Sequence, residues 1–115
     1  MFRFETLDIW KLAIDYADEI YNVVETFSPT LQYGLGSQLR SSSLSISNNI
    51  AEGSGSSSKA EFGSFLNYSI RSTFETVSGL IFAKRRGLID EDRYVKLYQA
   101  GETLVRKLHT FRKNL

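Results

Sequence analysis

What most constrains this chain is a recurrence. Apolar residues return every three or four positions through almost its whole length, and only three segments interrupt them. That spacing draws one apolar stripe down an α-helix, and no period-two alternation competes with it. The single proline, Pro29, leaves long stretches free for uninterrupted helix. The expectation is an all-α chain: one domain over residues 1–115, built as an antiparallel up-down-up-down four-helix bundle.

The first helix is predicted from about Leu7 to Phe27. Leu7, Trp10, Ala13, Ile14, Ala17, Ile20, Tyr21, Val24 and Phe27 form its stripe, with Asp8, Asp15, Asp18, Glu19 and Glu25 mostly off it. Ser28-Pro29 ends it, because proline pushes the residue before it out of the α region. Residues 28–36 then read as a loop. The second helix is predicted from Leu35 to about Glu52. It is rich in serine, a modest helix former, so it depends on tertiary packing. Leu39, Ser43, Ile46 and Ile50 form an apolar row. Beside it runs a polar row of Gln38, Ser42, Ser45, Asn49 and Glu52 in a heptad rhythm. Gly53 reads as its stop.

Ser58, three residues before Glu61, reads as a capping box opening a third helix from Lys59 to about Arg86. Its stripe is Phe62, Phe65, Leu66, Ile70, Phe74, Val77, Leu80, Ile81 and Lys84. Gly87 stops it. Asp90 is the expected N-cap of a fourth helix running to about Arg112, with Tyr94, Leu97, Tyr98, Gly101, Leu104, Val105, Leu108 and Phe111 inward.

The net charge of +1 hides an asymmetry. Residues 1–33 carry six acids and two bases, net −4, and residues 61–115 carry ten bases and six acids, net +4. Two accounts of this remain open: solvated faces that attract each other between helices or subunits, or an anion-binding surface on the basic half.

Little in the composition points to catalysis, and the chain is expected not to be an enzyme. There is no cysteine, which excludes disulfides and thiolate chemistry and fits a reducing cytoplasm. His109 is the only histidine, and Arg106 stands where a Glu-x-x-His metal motif needs its glutamate, so no metal or cofactor is expected. No phosphate-binding glycine loop occurs. The opening Met-Phe-Arg-Phe-Glu lacks the order of a signal peptide, and no apolar run reaches the ~18 residues of a membrane span. Glu52 and Glu75 fall beside the apolar stripes. They read either as an acid/base pair or, as favoured here, as members of a structural polar network with Gln38, Arg40, Ser45, Asn49 and Ser72 that sets helix register.

Several strings together carry a resemblance. They are Phe4-Glu-Thr-Leu-Asp-Ile-Trp10-Lys-Leu-Ala13, Tyr33-Gly34-Leu35, Gln38-Leu39-Arg40, and above all Ser45-Ile46-Ser47-Asn48-Asn49-Ile50-Ala51-Glu52-Gly53. Glu61-Phe62, Phe65-Leu66, Ser72 and Glu75 continue it. The chain resembles the four-helix-bundle proteins encoded in intervening sequences of bacterial 23S ribosomal RNA genes. That family carries a ribosomal-protein-like label and includes the accessory variability determinant protein of diversity-generating retroelements. The resemblance implies a homo-oligomeric ring, a homopentamer in characterised relatives. It implies binding of RNA or DNA, a reverse transcriptase partner in the retroelement branch, and no catalysis. The chain departs from the pattern at Gln32, Ser41, the arginine-free loop after Gly53, and Arg71: two basic positions are lost and one is gained.

The expected function is therefore a non-catalytic, oligomeric nucleic-acid-binding bundle. Its candidate surface is Lys84, Arg85, Arg86, Arg93 and Lys96, extended by Arg106, Lys107, Arg112 and Lys113. The alternatives are a protein-interaction adaptor, such as an accessory subunit for a reverse transcriptase, or a passenger with little cellular role. Lys84–Arg86 also read simply as favourable charge at a helix C-terminus.

Overall fold

The computed structural model describes all 115 residues. Four long helices form it: α1 (Asp8–Glu25), α2 (Ser37–Ser54), α3 (Lys59–Arg85) and α4 (Glu91–Lys113). A 3₁₀ turn, Arg3–Thr6, precedes them. Contacts between paired helices run in opposite senses. Ser42, Ser45 and Ile46 of α2 meet Thr76, Ser72 and Ser69 of α3, and Lys84 and Asn67 of α3 meet Glu91 and Arg112 of α4. Each helix is therefore antiparallel to the next, as expected. The long axis of 43 Å is close to the length of the 27-residue α3, at about 1.5 Å per residue. No helix is long and apolar enough to cross a membrane.

The core is organised by heptads in all four helices. The buried positions step by four and three: Ile9, Ala13, Tyr16, Ile20, Val23 and Phe27 along α1 and its end; Leu39, Ser43, Ile46, Ile50 and Gly53 in α2. The series continues as Phe62, Leu66, Ser69, Thr73, Thr76, Leu80 and Ala83 in α3, and Leu97, Gly101, Leu104 and Leu108 in α4. Such spacing lets knobs from one helix seat between residues of the next at shallow crossing angles.

The stripes read from hydropathy are rotated from these seams in two helices. In α1, Ile9, Tyr16 and Val23 are buried, while Trp10 and Ile14 are half-buried and Tyr21 is exposed. In α3, Ser69, Thr73 and Thr76 are buried and Phe74 and Ile81 face out. A helix orients to bury the most complete seam. Threonine fits one because its hydroxyl back-bonds to its own helix: Thr73 donates to the Ser69 carbonyl at 2.9 Å.

Two boundaries also differ from expectation. The segment at 28–36 is a helical lead-in and not an open loop. Pro29–Leu31 forms one α-turn and Gln32–Gly36 a π-turn that runs directly into α2. Pro29 sits at the start of this turn, where its missing N–H costs nothing. Gln32 fastens the segment. Its Nε2 donates to the carbonyls of Val24 (2.7 Å) and Phe27 (3.0 Å) at the end of α1. Arg40 Nη1 in turn donates to Gln32 Oε1 at 2.8 Å, and Nη2 to the Gln32 carbonyl at 3.0 Å.

Gly53 is the second difference. It does not stop α2, which runs on to Ser54. It is buried where α2 meets α3, and a Cβ there would fall 2.7 Å from Phe65 Cβ and 2.8 Å from the Phe62 ring. The expected N-caps hold elsewhere, although the Ser58 box is only half made, with no bond returning from the Glu61 side chain. Ser58 Oγ accepts from the Glu61 N–H at 3.1 Å, and Asp90 Oδ1 from the Arg93 N–H at 2.9 Å. Gly87 ends α3 with the only positive φ in the chain, 74°.

Candidate nucleic-acid interface

The C-terminus of α3 and the N-terminus of α4 lie at one end of the bundle, so Lys84, Arg85, Arg86, Arg93 and Lys96 share that end. Their charge is not undivided. Lys84 Nζ sits 2.9 Å from Glu91 Oε2, the one ion pair of the chain. The hydrogen bond to Glu91, reinforced by its charge, raises the Lys84 pKa and commits that ammonium locally. Asp90 caps α4, and Asp92 follows in the same turn. Arg85, Arg86 and Lys96 are exposed and Arg93 half-buried, and none of the four has an ion-pair partner.

Arg106 and Lys107 do not extend this patch as one surface. Arg106 lies ten residues beyond Lys96, about 15 Å further along α4. At about 100° per residue, Lys107 points to the same side of α4 as Lys96 and Arg93, and Arg106 points about 100° away. Arg106 lines a groove between α3 and α4. The cleft between α1 and α4 carries two carboxylates, Asp15 and Glu19. Arg112 is committed elsewhere: its Nη1 donates to Asn67 Oδ1 at 2.9 Å, and Nη2 pairs with His109 Nδ1 at 3.2 Å. The expected surface thus resolves into one end cluster and separate flanking charges.

The expected polar network also resolves differently. Ser45, Asn49 and Ser72 do come together. The Ser45 and Ser72 hydroxyls are 3.0 Å apart, and Asn49 Nδ2 donates to the Ser45 carbonyl and Oγ at 2.8 and 3.0 Å. Gln38, Glu52 and Glu75 are exposed and make no side-chain hydrogen bond, and Arg40 turns instead to Gln32. Glu52 and Glu75 are not neighbours either. Gly53 packs on Phe65, which places Glu52 roughly ten residues, or about 15 Å, along the axis from Glu75. No acid/base pair forms. The carboxylates fall outside because the core-facing positions of α2 and α3 are taken by the heptad seam.

Hydroxyls do the work assigned to those residues. Thr76 Oγ1 donates to Ser42 Oγ at 2.8 Å, with the Ser72 carbonyl 2.9 Å away on its own helix. Ser69 Oγ donates to the Ile46 carbonyl at 2.8 Å. Ser69, Thr73, Thr76 and Gln32 are the positions that hydropathy misses. The unbroken heptad from Phe62 to Ala83 is the pattern that marks the first three. Tyr16 was also missed. It is buried, and its hydroxyl has no hydrogen-bond partner. Burial pushes its pKa well above the ordinary phenol range. No three His, Asp or Glu side chains converge in metal-binding range.

A protein-family model described as 23S rRNA-intervening sequence protein matches residues 5–110. No curated protein matches the chain. Among solved structures, it is similar to a protein of unknown function from the S23 ribosomal protein family of Bacteroides thetaiotaomicron. The TM-score is 0.85 at 22% sequence identity, covering 91% of this chain and 98% of that one. At that identity the likeness carries over the fold alone.

Proposed function

This chain belongs to the 23S rRNA-intervening sequence protein family, and on that premise we propose that it is a non-catalytic, cytoplasmic bundle that assembles into a homo-oligomer, of five copies as the resemblance implies, and binds structured RNA or DNA. The observation that carries the binding is the end cluster. Of fourteen lysines and arginines only Lys84 is ion-paired, and Arg85, Arg86, Arg93 and Lys96 stand together without carboxylate partners. Unpaired cations on a rigid helix end contact phosphate oxygens irrespective of sequence. One such cluster is weak, and several held by one assembly gain by avidity. The absence of catalysis is supported by His109, which is exposed and paired only with Arg112.

Fluorescence anisotropy with a structured RNA tests the proposal. Affinity falls steeply between about 50 and 200 mM salt. Replacing Arg85 and Arg86 by alanine weakens binding to all sequences alike and flattens the salt slope by about two. Absence of binding at low salt overturns the proposal.

A further inference from the structure

The bundle end that carries the arginine cluster also carries two uncovered aromatic rings. Phe82 is 53% exposed and Tyr33 88%. Phe82 precedes Arg85 and Arg86 on α3 by three and four residues, so the three side chains are neighbours on one side of the helix. Neither ring takes part in an aromatic pair or a cation–π contact within the chain. Their faces are uncommitted.

Tyr33 reaches the same height from the side of α2. Leu39 packs at Gly79 and Ser42 meets Thr76, so each step back along α2 is level with one step forward along α3. The lead-in runs directly into α2, and extending this register sets Tyr33 about level with Arg85. The backbone under the ring is fixed on both sides, by Gln32 on α1 and by Arg40 on Gln32. The space beside it is open, since a Cβ on Gly34 would meet no atom within 4 Å. A ring held out in this way adds almost nothing to the packing of the bundle.

The charge around the rings is positive. Beside Phe82 a cleft of about 370 Å³ opens between the lead-in and α3, with Leu35 and Leu39 on one wall and Gly79 on the other. Its one charged residue, Glu75, lies seven residues from Phe82, about 10 Å down the axis and away from the end. Residues 28–36 carry no charge at all. At the end itself Glu91 is taken by Lys84, and Asp90 by the cap of α4. Asp92 lies one turn from Lys96 on α4, and Glu25 closes α1. Arg85 and Arg86 are the charges nearest the Phe82 ring, and no carboxylate pairs with either.

We propose that this end takes unpaired nucleotides: one base stacks on Phe82 and another on Tyr33, while Arg85 and Arg86 hold the phosphates that join them. This deepens the nucleic-acid reading above and rests on it. In a duplex each base is already covered on both faces by its neighbours, so the two rings find no partner there. An unpaired base offers a free face, and aromatic side chains take it. Every base has such a face, so the preference is for an unpaired strand and not for a sequence. The ligand is an unpaired stretch, supplied by the loop of a folded RNA or by a single strand of DNA.

Fluorescence anisotropy on the full chain at one low salt concentration tests this with four probes of equal length: an unstructured RNA strand, the same sequence as DNA, the RNA duplex, and a DNA strand of abasic sites. At least one of the two base-bearing strands is expected to bind about tenfold tighter than the duplex and the abasic strand, and which one does names the source. Charge alone gives the reverse order, because the duplex carries the phosphates of two strands. Phe82→Leu keeps an apolar side chain in the cleft and removes the ring, and Tyr33→Ala removes a side chain that packs on nothing. Each is expected to lower single-strand affinity about tenfold and to leave duplex affinity unchanged, with circular dichroism checking that the helices persist. Equal affinity for duplex, abasic and base-bearing strands overturns the stacking and leaves the binding function standing. A single-strand preference that survives both substitutions overturns the assignment to these two rings. Absence of binding to all four probes overturns this inference and the nucleic-acid reading together.

Discussion

Helix α3 shows two opposite solutions on its two flanks. Toward α2 it buries Ser69, Thr73 and Thr76, and the helices approach closely enough that Gly53 packs on Phe65. Toward solvent, beside α4, it leaves Phe74 and Ile81 uncovered. Hydropathy alone would exchange the two. The difference teaches that small hydroxyl residues, whose hydrogen bonds are met within their own helix (Thr73) or across the seam (Ser69, Thr76), permit a close interhelical contact. Large apolar side chains left outside are instead available for contact between molecules. A seam of the first kind is sensitive to volume, and a face of the second kind is not.

The largest expected effect is therefore steric. Gly53→Val at the seam overpacks Phe62 and Phe65 and should cost about 1–3 kcal/mol. In a thermal melt that lowers Tm by roughly 5–20 °C. Thr76→Val keeps the shape but strips Ser42 of its buried partner, at about 1–2 kcal/mol by chemical denaturation. Adding Ser42→Ala should recover part of this loss. If the double variant shows the plain sum of the single effects, the hydroxyl pair is not a unit. Tyr16→Phe runs the other way: removing a buried, unpartnered hydroxyl should raise stability by about 1 kcal/mol. A lower Tm there would mean that the hydroxyl is satisfied after all.

On the groove side, Phe74→Ser should change unfolding by less than about 0.5 kcal/mol at concentrations where the chain is monomeric. A larger loss would put Phe74 in the core and erase the contrast between the flanks. The smallest effect belongs to the exposed Lys84–Glu91 pair. The folded-state pKa of Lys84 is raised, so its stabilisation is complete below the unfolded lysine value, about 10.4. It is lost as pH climbs through the higher folded value. Glu91→Gln should remove that alkaline dependence and alter little at neutral pH, read from melts across alkaline pH.

Helix number, order and most ends were legible because caps and turns are local chemistry. Ser58, Asp90 and Gly87 each act within a few residues of themselves. The facing of α1 and α3 was less legible, since hydropathy ranks Phe74 above Thr73 without regard to which of them the seam can accept. The π-turn was hidden behind Ser-Pro and two glycines, which signal a loop unless a side chain such as Gln32 spans the gap. The end cluster of arginines was legible as charge. That Glu91 would take Lys84, and that Arg106 and Lys107 would diverge, depends on helix phase. Glu52 and Glu75 looked paired only because each flanked an apolar row on its own helix, and height along the bundle is not written in either row.

The Gln32 clamp bears on the order of folding. It joins Val24, Phe27 and Arg40, all within eight residues of Gln32, so closing it loses little chain entropy. The α1–α2 hairpin is then cheap to close, as is the α2–α3 hairpin across its short turn at 55–58, while the α1–α4 contact must wait for both ends of the chain to meet. Replacing Gln32 should slow folding, and loosening the α1–α4 side should chiefly quicken unfolding.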